Sequence, residues 1–150
     1  MQTIDHKYLF VSVKPEFADK IILKEKTIEL RKFRPNVNIG DYVIIYASSP
    51  RKSVVAFGTI KNILIMEPQK MWDDFSKNLG IDKQRFDNYY KGIVKAVGIE
   101  FNKLVKINPI HLDDIRTINP GFHPPQIYMY IANIHNSRAM INLMQVPYSC

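Results

Sequence analysis

The chain has 150 residues, 46% hydrophobic and 23% charged, a composition that suits a globular protein long enough to bury one core. No apolar run reaches membrane-spanning length, the opening MQTIDHKYLF lacks a basic-then-apolar secretory pattern, and the single cysteine, Cys150, excludes an intrachain disulfide or a cysteine-rich zinc site. The expectation is one cytoplasmic domain over residues 1–150, with a core over about 8–131, a C-terminal extension over 132–150 and no membrane contact.

Residues 8–14 (YLFVSVK) are rich in aromatic and β-branched types and predict a strand. Pro15 fits a first helical turn, and PEFADKIILKE continues with Phe17, Ile21 and Ile22 at helical spacing. KTIELRKF (26–33) alternates, with Ile28 and Leu30 on one face and Thr27, Glu29 and Arg31 on the other. RPNVNIGD is turn chemistry, DYVIIYAS (41–48) reads as a central strand, and SPRK is a turn. SVVAFGTIKNILIM (53–66) predicts a long strand with Gly58 at a bulge. Two helices follow: EPQKMWDDFSKNLG, with Gly80 after its end, and IDKQRFDNYYKG, with Asp82 as its N-cap. Residues 93–107 return to strand, NPIHLDDIRTI holds a short helix or turn, and QIYMYI (126–131) is a last strand. The tail, where Ala139, Met140, Leu143 and Met144 cluster, predicts a terminal helix.

The strands are not separated by regular crossover helices, so a doubly wound parallel sheet is disfavoured. The fold class expected is mixed α/β (α+β), with five to six mostly antiparallel strands and flanking helices that can close into a small barrel.

The formal net charge is +7, weighted to the first half: residues 1–35 carry eight Lys/Arg against five Asp/Glu, while residues 67–100 balance at six each. That suits a polyanionic partner, and solubility alone is the plainer alternative. No Gly-rich phosphate loop and no Gly-x-Ser-x-Gly elbow is present. His6, His111, His123 and His135 lack metal-ligand spacing, so neither a metal nor another cofactor is expected. The adjacent pairs Asp73–Asp74 and Asp113–Asp114 diverge on a helix and suit its N-terminus or solvent.

KEKTIELRKFRP (24–35) is the densest stretch, with five basic residues, two glutamates and three apolar residues. On a strand, Glu29 and Arg31 share one face about 7 Å apart. They are either an exposed salt-bridged pair of little energetic weight or, with Lys26, a group that holds a nucleobase edge and its phosphate or sugar.

The segment FVSVKPEFADKIILKEKTIELR resembles the ASCH domain, a branch of the PUA-like superfamily of small β-barrels. That family opens with a strand ending in Lys-Pro, a helix and a Gly-x-Lys-Thr-x-Glu-x-Arg motif. Lys14 and Pro15 match, as do Lys26, Thr27, Glu29 and Arg31, while Lys24 stands at the glycine. DYVIIYASSPRKSVVAFGTI resembles the next barrel strands, and Pro124, Pro125 and Gln126 resemble one subgroup's closing strand. The resemblance implies recognition of RNA or a modified nucleoside in a cleft beside the first helix. Lys26, Glu29 and Arg31 would line it, with Lys14, Thr27 and Gln126 from the matching motifs. Tyr46, Ser48 and Ser49 are candidates for stacking and hydroxyl contacts, and several of Lys24, Lys26, Arg31, Lys32, Arg34, Arg51 and Lys52 for a basic rim.

Some family members remove the acetyl group of 4-acetylcytidine with a lysine, a threonine and a glutamate, and others cleave RNA. Lys26 matches that lysine, and Glu29 stands where those amidohydrolases have the threonine. An enzyme reading therefore makes Lys26 and Glu29 the catalytic pair, as an amidohydrolase or a ribonuclease. A third reading is a protein-interaction module that docks through RFDNYY (85–90), against ordinary helix packing of those aromatics.

Overall fold

A computed structural model describes residues 6–126 and 128–130. The expected tail helix, His135, Cys150 and the positions 127 and 131 of the last strand lie outside the described residues. In chain order the elements are β1 (Tyr8–Val13), α1 (Pro15–Ile22), β2 (Ile28–Arg31), β3 (Tyr42–Ala47), β4 (Ser53–Met66) and α2 (Pro68–Phe75). A 3₁₀ turn (Ser76–Asn78) follows, then α3 (Lys83–Tyr89), β5 (Ala96–His111), α4 (Leu112–Ile118) and β6 (Tyr128–Tyr130).

The six strands form one mixed sheet in the order β2-β5-β4-β3-β1-β6. β1 runs parallel to β3, with Tyr8 opposite Tyr42 and Val13 opposite Ala47, and every other neighbouring pair is antiparallel. α1 supplies the crossover that a parallel β1–β3 pair requires, with β2 set aside to the far edge. The expected barrel is not a closed ladder: β2 and β6 are its two edges, and no pairing joins them among the described residues. β4 has the expected bounds, while β5 runs past its expected end at residue 107. β5 runs on through Asn108–His111, where that stretch pairs with Ser53 and Val54 of β4, and the short helix expected within NPIHLDDIRTI is α4.

Three register shifts along the β4–β5 ladder bend the sheet, one of them between Phe57 and Thr59 at Gly58, where the bulge was expected. The reason for glycine there is space. A Cβ at Gly58 would stand 2.7 Å from the Leu104 Cα, and backbone cannot step aside as a side chain can.

Alternation in β1 and β3 sorts side chains onto two cores. Leu9, Val11, Val43 and Ile45 join Ala18 and Ile21 of α1 in the first. Phe10, Ile44 and Tyr46 face the other way and pack with Leu112 and Ile115 of α4 and with Phe122. A third cluster places Met71, Leu79, Phe86 and Tyr90 against Ile28 and Leu30 of β2. Phe86 and Tyr90 are thus core residues, while Arg85, Asp87 and Asn88 of the RFDNYY segment are exposed. Asp82 caps α3 as expected, accepting from the Arg85 backbone N–H at 2.9 Å.

Gly58→Ala is expected to destabilise the protein by about 1–3 kcal/mol in urea melts. Gly121→Ala, where an added Cβ meets nothing within 4 Å, should stay within about 0.5 kcal/mol of the wild type.

Candidate functional site

A cleft of about 480 Å³ lies where β2 faces the end of β1 across the unclosed side of the sheet. β1 and the start of α1 contribute Ser12, Lys14 and Phe17, while Lys26, Glu29 and Arg31 come from β2 and the residues before it. Ile81, Arg85 and Tyr89 of α3 and its approach form the opposite wall, and Ser48 and Gln126 complete it.

The path into β2 explains how Lys26 is aimed. α1 ends at Ile22, the last of its spaced apolar residues and short of the end of PEFADKIILKE, and Lys24 adopts a left-handed conformation with φ 66°. That is the position where the resembled motif carries glycine, the residue that takes this conformation without a steric penalty. Here Lys24 takes it and donates from Nζ to the Leu104 carbonyl. The Thr27 N–H donates to the Asn78 carbonyl at 2.9 Å and its own carbonyl accepts from Phe101, so Thr27 is held by backbone contacts. Between these anchors Lys26 turns inward, two residues before the strand begins. The Lys26 side chain leaves room only for a glycine opposite: a Cβ at Gly80, which has φ 64°, would sit 2.7 Å from the Lys26 Cβ.

Glu29 and Arg31 are not the exposed pair that strand alternation allows. Lys26, Glu29 and Arg31 retain 3%, 7% and 9% exposure. The Lys26 Nζ donates to the Leu79 carbonyl at 2.7 Å and lies 3.4 Å from Glu29 Oε1. Arg31 Nη2 donates to Glu29 Oε2 at 2.6 Å and, across the gap, to the Ser12 carbonyl at 3.2 Å. Two cations thus share one carboxylate. Arg31 Nε is buried, and among the described residues nothing accepts from it. Burial holds the Lys26 ammonium below the ordinary lysine value; Glu29 opposes that shift, and the nearby Arg31 and Lys20 add to it.

The Phe17 ring lies beside this group, with Lys26 Nζ 5.4 Å and the Arg85 guanidinium 5.5 Å from its centroid. Arg85 also pairs with Glu16 at 2.7 Å and with Asp82 at 2.6 Å, so much of its charge is balanced. Tyr89 is half-buried, and Lys32 Nζ stands 4.7 Å above its ring.

Of the residues singled out from the sequence, Lys14, Lys26, Glu29, Arg31, Ser48 and Gln126 meet at the cleft. Tyr46 does not. It is 3% exposed and its ring packs on Phe10 at 5.5 Å in the second core, because β3 is buried on both faces and its apolar run carries no sign of which residue faces where. Ser49 lies outside the lining, and Arg51 pairs with Asp19 at 2.6 Å. Lys52 offers its carbonyl to Leu112, and Arg34 donates to the Pro35 carbonyl at 3.1 Å. Phe17, Arg85 and Tyr89 also line the cleft; in the sequence Phe17 reads as packing, and Arg85 and Tyr89 stand out only within the RFDNYY docking segment. Among the described residues no group of three His, Cys, Asp or Glu could hold a metal ion, and no helix is long and apolar enough to cross a membrane.

The fold and this cleft place the chain among known proteins. A family model described as a domain of unknown function, DUF365, matches residues 9–129. An "ASCH domain-containing ribonuclease" of Zymomonas mobilis subsp. mobilis is 31% identical over 122 residues, covering 81% of this chain and 82% of that protein. The crystal structure of ASCH from Zymomonas mobilis superposes with a TM-score of 0.86 at 28% identity, over 93% of this chain and 96% of that one. The N-terminal domain of Staphylothermus marinus McrB shares the fold at 14% identity and a TM-score of 0.58, over 95% of this chain and 98% of that one. The chain belongs to the DUF365 family and is an ASCH domain protein.

The lowered Lys26 value has a definite sign in stability. Between that value and the ordinary 10.5, the folded chain binds fewer protons at Lys26 than the unfolded chain, so Lys26 makes stability rise with pH through this window. Urea melts across the window should show that rise in the wild type and a flatter profile in Lys26→Met. Side-chain amine NMR should find the Lys26 midpoint below those of surface lysines, and lower still in Glu29→Gln.

Proposed function

We propose that the cleft binds single-stranded RNA or a modified nucleoside, taking one base between the Lys26–Glu29–Arg31 group and the Phe17 and Tyr89 walls. The observation that carries this reading is the buried guanidinium of Arg31, which lines the cleft and has a fully buried donor, Nε, without an acceptor among the described residues. A buried donor left in that state is unfavourable, and a ligand carbonyl or phosphate oxygen relieves it once the guanidinium turns to bring Nε to the cleft. The group also has two cations for one carboxylate, which favours an electron-rich ligand edge. Glu29 accepts from an exocyclic amine such as that of cytosine, and Lys14 at the rim meets the backbone phosphate. A volume of about 480 Å³ suits a ligand of nucleoside size.

Catalysis in the same cleft is the second reading. It is favoured by the ribonuclease name of the 31% identical relative and by a desolvated lysine whose amine is neutral more readily than usual. In that reading the neutral Lys26 takes the proton of a ribose 2′-hydroxyl as it attacks phosphorus. The 5′-oxygen leaves with a proton from solvent, and Arg31 balances the charge on the non-bridging oxygens.

Calorimetric titration with cytidine, 4-acetylcytidine and short single-stranded RNAs tests the binding reading. Arg31→Lys keeps a cation near Glu29 but removes Nε, and should weaken binding about tenfold or more with an unchanged far-UV spectrum. Absence of binding to every one of these ligands would overturn the proposal. Chromatography of the same mixtures separates the two readings: products formed by the wild type and lost in Lys26→Ala would establish catalysis.

A further inference from the structure

Just past the cleft the chain presents a basic-aromatic-basic run, Lys32-Phe33-Arg34, and all three side chains are exposed. The ladder of β2 with β5 ends at the pair Arg31–Val97, so these residues leave the sheet. Phe33 is 75% exposed, the highest value among the exposed large apolar side chains of the described residues and the one aromatic ring in that group. Its position is continuous with the cleft. Arg31 lines the wall, and the Lys32 ammonium stands 4.7 Å over the ring of Tyr89, which lines the wall too. Two residues of chain span at most about 7 Å, a distance that one nucleotide step crosses.

We infer that Phe33 is a second stacking position, which receives the base next to the one held in the cleft while Lys32 and Arg34 flank the intervening phosphate. This rests on the RNA reading of the cleft and extends it: the ligand is a strand of at least two nucleotides rather than a free nucleoside. An exposed aromatic between two cations matches the chemistry of single-strand binding, where ring faces take bases of any sequence and cations follow the backbone. It also assigns the strand a direction along the protein, out of the cleft and over the end of β2.

The experiment compares equilibrium binding of cytidine 5′-monophosphate with that of a four-residue RNA carrying 2′-O-methyl groups, which 2′-hydroxyl attack cannot cleave. Phe33→Ala should lower affinity for the four-residue strand about tenfold or more and leave the monophosphate within twofold. Phe33→Trp should retain the affinity and show fluorescence, above the Trp72 baseline, that is quenched by the strand and not by the monophosphate. Lys32→Ala should flatten the salt dependence for the strand by about 0.7 in log–log slope. Equal losses for both ligands, or none for the strand, would overturn the inference while the cleft reading stands. Wild-type protein that binds neither ligand nor a mixed-sequence single strand would overturn both. Concentration-dependent self-association abolished by Phe33→Ala, with unchanged affinity for the strand, would make the ring a contact between copies of the chain and overturn the inference as well.

Discussion

The Glu29 carboxylate, taken from opposite sides by Lys26 and Arg31, is the contact around which the rest of this half of the molecule is arranged. Neither cation could be buried here without it. A buried ion pair of this kind is weak as a stabiliser, since desolvating its members offsets much of their mutual attraction. Its retention in so dry a place is better understood through what it holds ready than through the stability it adds. The surroundings supply what the carboxylate does not: carbonyls from Leu79 and Ser12 accept from the two cations, and the face of Phe17 lies beside Lys26.

The incomplete closure of the sheet and the position of this group are two aspects of one arrangement. β4 and β5 are long and bulged, and they carry the edge strand β2 around until its Arg31 reaches the carbonyl of Ser12 in β1. A ladder that closed there would fill the gap with backbone hydrogen bonds. Instead the gap is crossed by a guanidinium, which occupies one face and leaves room for the cleft. α3 covers the remaining side, with Phe86 and Tyr90 anchoring it in the core so that Tyr89 and Arg85 can face the opening.

The sequence was most legible where one residue type has one structural use. Pro15 opens α1, Asp82 caps α3, and the alternation of Ile28, Glu29, Leu30 and Arg31 sorts core from cleft. It was silent where the outcome depends on distant pairing. β5 extends through Asn108–His111 because Ser53 and Val54 offer partners, which nothing local to that stretch reveals. Alternation separated the faces of β2 but could not say that the polar one would be buried, since that follows from α1 and α3 lying over it. Tyr46 misled for a related reason: in a strand apolar on both faces, the composition of the strand does not assign a tyrosine to either. The place of Phe17 in the cleft lining was hidden by helical spacing that also fits ordinary packing.

Two lysines grip consecutive main-chain carbonyls, Lys20 at Gly80 and Lys26 at Leu79, where the 3₁₀ turn gives way to α3. Those acceptors belong to the backbone and have no codon of their own. Replacing the Leu79 side chain alters packing but leaves its oxygen in place, so an alanine scan passes over half of this clamp without registering it. Altering the acceptors requires a change in the main chain itself, by inserting or deleting a residue between Asn78 and Asp82 or by exchanging an amide for an ester. The spacing of that short connection, together with the glycine at position 80, is therefore what inheritance must preserve for Lys26 to stay aimed at Glu29.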